Sequence, residues 1–223
     1  MQESLRMHLR IATLCLALPV AAMAEPPVTI PLRAQFEGGD TIPYRRIESD
    51  DFHGTSAPAG NRGEAHVVAS ICAGLAFAPD ARLVVERVES HDALPVYEAR
   101  LQQLGFEARM DRDCSYWNAA DSGYSEAYVL QHEQLHFAFV EIRARRLSGQ
   151  AAEIEEDIYG RAHNPEAAIE QVREELFSLL KSENSELDER HGDLDSHTSG
   201  WYFPQLLNGW TEKVSDELRE TAP

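Results

Sequence analysis

The chain has 223 residues and a formal net charge of −18 at pH 7, with 38 acidic side chains against 20 lysines and arginines. Such an acidic chain repels phosphate backbones and anionic lipid head groups, so neither nucleic acid nor a membrane surface is expected as a partner. After the first two dozen residues no stretch is apolar enough to cross a bilayer, and we predict no membrane-spanning helix there.

Residues 1–24 have the features of a secretory signal peptide. Their start is basic, residues 11–20 form a short apolar core, and residues 22–24 (Ala-Met-Ala) form a small-x-small cleavage site. A membrane anchor, the alternative, would need an apolar run of roughly twenty residues. We therefore predict cleavage before Glu25, a single domain over residues 25–223, and a periplasmic or secreted location.

The predicted elements of the N-terminal part are β-strands. Short β-prone segments at residues 28–36 and 41–47 are interrupted by glycine and proline, which suggests a hairpin. Apolar residues then occupy alternate positions from residue 67 to residue 77, and this alternation predicts a strand. The β-branched segment 83–88 is expected to pair with that strand across a short turn.

The cysteines flank a predicted helix and a further strand. Spacings of four and three between apolar residues predict a short helix over residues 97–104, ended by a glycine, and alternation over 106–110 predicts a strand. Cys72 and Cys114 are the two cysteines that remain after cleavage. An even pair in an exported protein favours one disulfide, with two separate buried thiols as the alternative.

The C-terminal half is predicted to be mainly helical. Ser125 is a suitable N-cap for a helix that stops near Gly149, and Asn164-Pro165 is an N-cap followed by a proline in the first helical position. Residues 182–199 are polar and read as irregular, and residues 211–218 predict a last short helix. Antiparallel strands followed by helices define an α+β fold class.

The sequence YVLQHEQLHFA, residues 128–138, carries the H-E-x-x-H pattern of zinc-dependent hydrolases within the helix that starts after Ser125. Residues four apart on a helix are turned by only about 40°, so His132 and His136 project together and can hold one ion. Glu133 lies about 100° round the helix, where it suits a general base better than a ligand. Imidazole ligands and hydrolytic chemistry favour Zn²⁺ as the ion.

A zinc site needs at least one more ligand. The sequence HGDLDSHTSGW contains His191 and His197, and a histidine on a loop could fold back onto the ion. Glutamates on the helix after Asn164 are a further possibility. The residues alone leave these alternatives open.

Residues 132–147, HEQLHFAFVEIRARRL, resemble the signature helix of a secreted bacterial family. That family is catalogued as domain of unknown function 922, and its members are expected to be zinc-dependent proteases. Its D-F-x-G element is matched by residues 51–54, and its aromatic segment by residues 115–117. The helix positions that match are His132, Glu133, Gln134, His136, Phe137, Glu141, Ala144 and Arg145.

The resemblance implies a zincin-like fold with a metal-binding active-site helix. Aligning the family's C-terminal histidine favours His197 as the third zinc ligand, with His191 as the alternative. We therefore expect a zinc metallopeptidase whose partners are peptide or protein substrates, with Glu133 as general base. The alternative is a non-catalytic, zinc-stabilised envelope protein in which both His191 and His197 bind the ion. A hydrolase acting on a non-peptide amide is a third, weaker expectation.

Overall fold

The computed structural model has an α+β fold, as the sequence predicts, with its helices concentrated in the second half. The signal peptide predicted over residues 1–24 lies outside the described residues, so it stays a prediction. Within those residues, no helix combines the length and the apolar character that a membrane span requires. The structure describes residues 26–32, 39–56, 68–88, 94–118, 123–198 and 203–222.

Seven strands in the described residues form two antiparallel sheets. The strands are β1 (Val28–Pro31), β2 (Thr41–Pro43), β3 (Ala69–Phe77), β4 (Arg82–Val88), β5 (Val96–Gln102), β6 (Phe106–Trp117) and β7 (Tyr159–Ala162). The first sheet has the order β1-β4-β5-β7 and the second has the order β2-β6-β3. The helices are α1 (Glu126–Gly149), α2 (Ala151–Asp157), α3 (Pro165–Thr198) and α4 (Pro204–Glu220), with a 3-10 turn at Ser49–Asp51.

Helix α1 is the central helix. It begins where predicted, because the Ser125 side chain accepts a hydrogen bond from the Tyr128 amide, and it ends at Gly149. One side packs on strands β3 and β6, and other sides contact α3 and α4. Apolar residues therefore occur on several of its faces, and Phe137 and Phe139 are almost completely buried. A helix enclosed in this way holds its polar side chains in fixed positions.

Helix α3 is longer than the sequence predicts. Asn164 caps it, with its Oδ1 accepting from the Ala167 amide at 2.8 Å. The prediction that residues 182–199 are irregular is wrong, because the helix continues through them to Thr198. Leu187 and Leu194, which lie two turns apart, are both buried and extend the apolar stripe to the end of the helix.

The predicted helix over residues 97–104 is also wrong, because Val96–Gln102 is strand β5, hydrogen-bonded to β4 on one side and to β7 on the other. Tyr97 and Leu101 are four residues apart, a spacing that fits one face of a pleated strand as well as one face of a helix. Ala99, which lies between them on that face, is fully buried. The pairing of this segment with β4 on one edge and β7 on the other decided in favour of a strand over a helix.

The two strands predicted from alternation are confirmed, but their pairing differs from the expectation. The N-terminal segments do not form a hairpin: β1 pairs with β4, and β2 pairs with β6 in the other sheet. Strand β3 pairs with β6 rather than with β4.

The last helix is confirmed and is longer than predicted, since α4 covers Pro204–Glu220.

The predicted disulfide is confirmed and joins neighbouring strands. Cys72 on β3 and Cys114 on β6 are bonded, with their Cα atoms 5.7 Å apart. The strand register shifts between Ser70 and Cys72, next to the bond. Ser115 bridges this irregularity, because its hydroxyl accepts from the Cys72 amide at 3.0 Å and donates to the Asp111 carbonyl at 2.6 Å.

Gly160 on β7 lies directly against the backbone of α3, and its replacement is expected to destabilise the fold. A Cβ atom at Gly160 would lie 1.8 Å from the backbone oxygen of Ala168. Gly160→Ala should therefore lower the free energy of unfolding by about 1–3 kcal/mol or more, as overpacking does. Urea unfolding measures the change.

Gly209→Ala is the matched control, because a Cβ there meets nothing within 4 Å inside helix α4. It should leave stability unchanged or raise it by up to about 1 kcal/mol, through better helix propensity. Equal stability of the Gly160→Ala variant and the original protein would contradict the packing of β7 on α3.

Candidate metal centre

Three side chains from two helices converge on one point. His132 and His136 extend from α1 with their Nε2 atoms 3.0 Å apart. Asp195 extends from the C-terminal part of α3, and its Oδ1 lies 3.0 Å from Nε2 of His132 and 3.1 Å from Nε2 of His136. These three residues form a group that could hold a metal ion.

The donor set and its spacing fit zinc. Tetrahedral zinc bonds of about 2.0–2.2 Å place neighbouring donor atoms about 3.3–3.5 Å apart. The three donor atoms lie 3.0–3.1 Å from one another, so each needs to move only a few tenths of an ångström. Two imidazole nitrogens and one carboxylate oxygen are also ligand types that zinc accepts.

The second ring nitrogen of each histidine has its own contact. Nδ1 of His132 lies 2.9 Å from the hydroxyl of Thr198, and Nδ1 of His136 lies 2.6 Å from Nδ1 of His191. Both contacts come from α3. The Nδ1 atoms are therefore engaged by His191 and Thr198, and the Nε2 atoms of both histidines face Asp195.

The ionisable side chains of the group shift one another's pKa values. Burial acts to raise the pKa of Asp195, but the close contacts of its carboxylate with the rings of His132 and His136 outweigh this effect and hold that pKa well below 3.8. Burial acts to lower the pKa of His132, and the hydrogen bond and charge of Asp195, together with the charge of Glu133, raise it above 6.5. Burial and the neighbouring His136 lower the pKa of His191 to about 4, so His191 is neutral at pH 7.

Glu133 lies next in sequence to His132 and is 4% exposed. Its carboxylate makes no hydrogen bond and no ion pair within the described part of the chain. A buried carboxylate normally has a partner, because burial without one is costly. None of the described residues occupies its oxygens, so the carboxylate has the chemistry of a general base for a water or a substrate next to the metal-donor group.

The structure does not bring His197 to the other two histidines. His197 is exposed, and its ring lies against Trp210 with the centroids 5.9 Å apart. It is two residues beyond Asp195, which on a helix is about 200° round the axis. The expectation of His197 as the third ligand came from the alignment with the family's C-terminal histidine and from an irregular backbone at this stretch. The stretch is helical and turns Asp195 toward α1 instead.

Asp195 was missed for the same reason, and a helical pattern could have found it. His191, Asp195 and Thr198 are spaced by four and three residues, the spacing that places side chains on one face of a helix. The contacts of all three with His132 or His136 show that this face meets α1.

Other motif residues support the fold around the centre. Gln134 ties the chain after β2 to α1, because its Oε1 accepts from the Ile47 amide at 2.8 Å and its Nε2 donates to the Arg45 carbonyl at 3.1 Å. The acidic residue and the arginine of the signature helix, Glu141 and Arg145, form an ion pair with N and O 2.7 Å apart. None of these residues belongs to the metal-donor group.

The D-F-x-G element and the aromatic segment meet each other. The ring of Phe52 packs on Trp117, with centroids 5.2 Å apart, and Gly54 bridges to Tyr116. A Cβ at Gly54 would lie 2.7 Å from the Ser115 carbonyl, so the close approach requires glycine. Asp51 is buried and forms an ion pair with Arg45 at 2.6 Å. These contacts give both sequence elements a structural role.

Two further features lie apart from the centre. Asp40, His53 and Asp113 form an exposed group of possible ligands, but Asp40 already pairs with Arg112 at 3.1 Å. A cavity of about 720 Å³ is lined by Tyr44 and by residues of α1 and α4. Its lining includes none of His132, His136 and Asp195. The cavity is therefore not part of the metal centre.

Comparisons of the chain with models of known protein families, with curated proteins and with solved structures find no match. The resemblance to domain of unknown function 922 therefore stays a prediction.

The contact of Asp195 with the two histidines should make the stability of the metal-free protein depend on pH. Because the folded-state pKa of His132 is raised, its contribution is complete below about 6.5 and is lost as the pH rises through the folded value. Because the pKa of Asp195 is lowered, its contribution is present above 3.8 and is lost as the pH falls below that.

Asp195→Asn should therefore destabilise the chelator-treated protein most between these limits, and the difference from the original protein should shrink as the pH rises past the His132 pKa. Urea unfolding from pH 4 to pH 9 with a chelator present measures this difference. A difference that stays constant over the whole range would contradict the ion pair.

Proposed function

We propose that the protein is an exported zinc-dependent hydrolase that cleaves peptide bonds. The observation that supports this most directly is the convergence of the two Nε2 atoms and Asp195 Oδ1, with the buried Glu133 next to His132 on the same helix. The Cys72–Cys114 disulfide supports export, since such bonds persist in oxidising compartments such as the periplasm and the extracellular space.

In this proposal His132, His136 and Asp195 hold the zinc ion. Three protein ligands leave one position open, which is typical of catalytic rather than structural zinc sites. Zinc bound there would supply Lewis-acid chemistry, polarising a carbonyl group and making a water more acidic. Asp195 also offsets part of the charge of the ion, because its carboxylate is ionised at neutral pH.

Glu133 moves the proton. Its carboxylate takes a proton from the attacking water and passes it to the leaving nitrogen of the peptide bond. The burial of Glu133 keeps bulk water away from this exchange, and the rigid helix α1 fixes its position relative to His132 and His136. The H-E-x-x-H spacing and the resemblance support a peptide bond as the substrate.

A non-catalytic zinc site would need a fourth protein ligand. The sequence alternative used both His191 and His197 for this purpose. His191 faces Nδ1 of His136 rather than the point where the Nε2 atoms converge, and His197 is exposed beside Trp210. These placements favour a centre with an open position, and so a catalytic role.

Glu133→Gln should separate metal binding from catalysis. The variant keeps all three ligands, so we expect zinc at the original stoichiometry, while hydrolysis of unfolded casein falls by at least about 100-fold because the general base is lost. Elemental analysis and a casein assay measure the two quantities. Glu156→Gln, an exposed position on α2, is the control and should change neither.

Hydrolysis by Glu133→Gln at the original rate would refute the role of this carboxylate. Loss of zinc in the same variant would instead indicate that Glu133 is a ligand.

Single substitutions test whether Asp195, rather than His197, is the third zinc ligand. Asp195→Ala removes a donor atom and should weaken zinc binding by more than the roughly 10–100-fold that outer-sphere partners contribute. His197→Ala removes an exposed ring and should keep the original affinity. Competition with a chromophoric chelator measures both. The opposite ranking would restore His197 as the third ligand.

A further inference from the structure

One face of α3 makes every contact between that helix and the two histidines of the centre that the structure describes. His191 lies one turn before Asp195, and Thr198 lies one turn after it. Asp195 meets both Nε2 atoms, while His191 and Thr198 each meet one Nδ1 atom. We propose that His191 and Thr198 are positioning residues that hold both ligand histidines with a bare Nε2, ready for the metal. The importance of these two residues for catalysis rests on the proposed function.

The hydrogen-bond geometry of Thr198 determines the tautomer of His132. The Thr198 hydroxyl lies 2.7 Å from the Leu194 carbonyl, and a carbonyl can only accept, so the hydroxyl proton points there. The hydroxyl oxygen can then only accept from Nδ1 of His132, at 2.9 Å. A neutral imidazole carries one proton. With that proton on Nδ1, the Nε2 of His132 has a free electron pair.

Thr198 is well placed to impose this choice. It is 2% exposed, so water does not compete for its hydroxyl. Its own carbonyl accepts from the Tyr128 hydroxyl at 3.0 Å, which anchors the last turn of α3 to the first turn of α1. Because the anchor and His132 lie one turn apart on α1, the hydroxyl and the imidazole are held in register.

His191 acts in the same way on His136. Their two Nδ1 atoms are 2.6 Å apart, so exactly one of them carries the proton between them. If His191 carried it, neutral His136 would keep its own proton on Nε2 and could not bind a metal there. His191 as the acceptor puts the proton on Nδ1 of His136 and frees Nε2. The ring of His191 is held against Phe139, with centroids 5.6 Å apart.

The end of α3 therefore supplies one ligand and two orienting groups. Residues that hydrogen-bond to the second nitrogen of a ligand histidine fix its tautomer and ring orientation. Here both such residues and the third ligand lie on one continuous helix, so they move together. Docking of this helix end on α1 creates the complete site in a single step.

Thr198→Val tests the first half of the proposal, because it keeps the shape of the side chain and removes the hydroxyl. Zinc affinity, measured by chelator competition, should fall by about 10–100-fold. Thr198→Ser restores a hydroxyl and should recover most of the affinity. Ser196→Ala, an exposed hydroxyl deletion in the same turn, is the control and should have no effect. Equal affinity of Thr198→Val and Ser196→Ala overturns the role of Thr198.

His191→Leu and His191→Gln test the second half. Leucine cannot accept a hydrogen bond, so zinc affinity should fall by about 10–100-fold. Glutamine can accept through its Oε1 and should retain more of the affinity than leucine. Equal affinity of His191→Leu and the original protein overturns the role of His191.

Nitrogen NMR of the unaltered protein, without metal and at a pH where His132 is neutral, gives a readout that does not depend on the folding of any variant. The proton should be on Nδ1 of His132, and a proton on Nε2 overturns the proposal. If the variants have the expected zinc affinities but the original protein does not hydrolyse peptides, the proposed reaction is refuted. The positioning role of His191 and Thr198 then still stands. If the protein binds no zinc, the proposed function fails, and the NMR result still decides the role of Thr198.

Discussion

The contact between the C-terminal end of α3 and the middle of α1 is the interaction on which the candidate site depends. It brings the carboxylate of Asp195 to within about 3 Å of two imidazole nitrogens, at 3.0 and 3.1 Å. It also supplies the partners of both remaining ring nitrogens. Without this contact, α1 would present only two of the three candidate ligands, and the second ring nitrogens would lack these partners.

The contact between α3 and α1 brings electron-rich atoms close together. In the proposed tautomers, two free Nε2 electron pairs and one ionised carboxylate come together, and such an arrangement calls for a cation between them. In the metal-free protein a proton on His132 can serve this purpose, which agrees with its raised pKa. A bound metal ion and a proton would therefore compete for the same place, and metal binding would release protons.

The rest of the fold keeps α1 fixed. Strands β3 and β6, bonded to each other through Cys72–Cys114, support one side of the helix, and Gln134 ties the chain after β2 to it. Phe137 and Phe139 are buried next to the ligand His136, so the backbone that carries it is held by packing. The resulting rigidity suits a site in which ligand distances must be correct to a few tenths of an ångström.

The local sequence was sufficient for features that depend on neighbouring residues: the caps of α1 and α3, the alternation of β3, the cysteine pair and the H-E-x-x-H spacing. Tertiary structure alone decided the strand partners, because alternation states which face is buried and not which strand lies alongside. It also decided that residues 97–102 form a strand and that α3 continues to Thr198, since long-range packing outweighed local polarity. The third candidate ligand followed from that last decision, because helical geometry turns Asp195 inward and His197 outward.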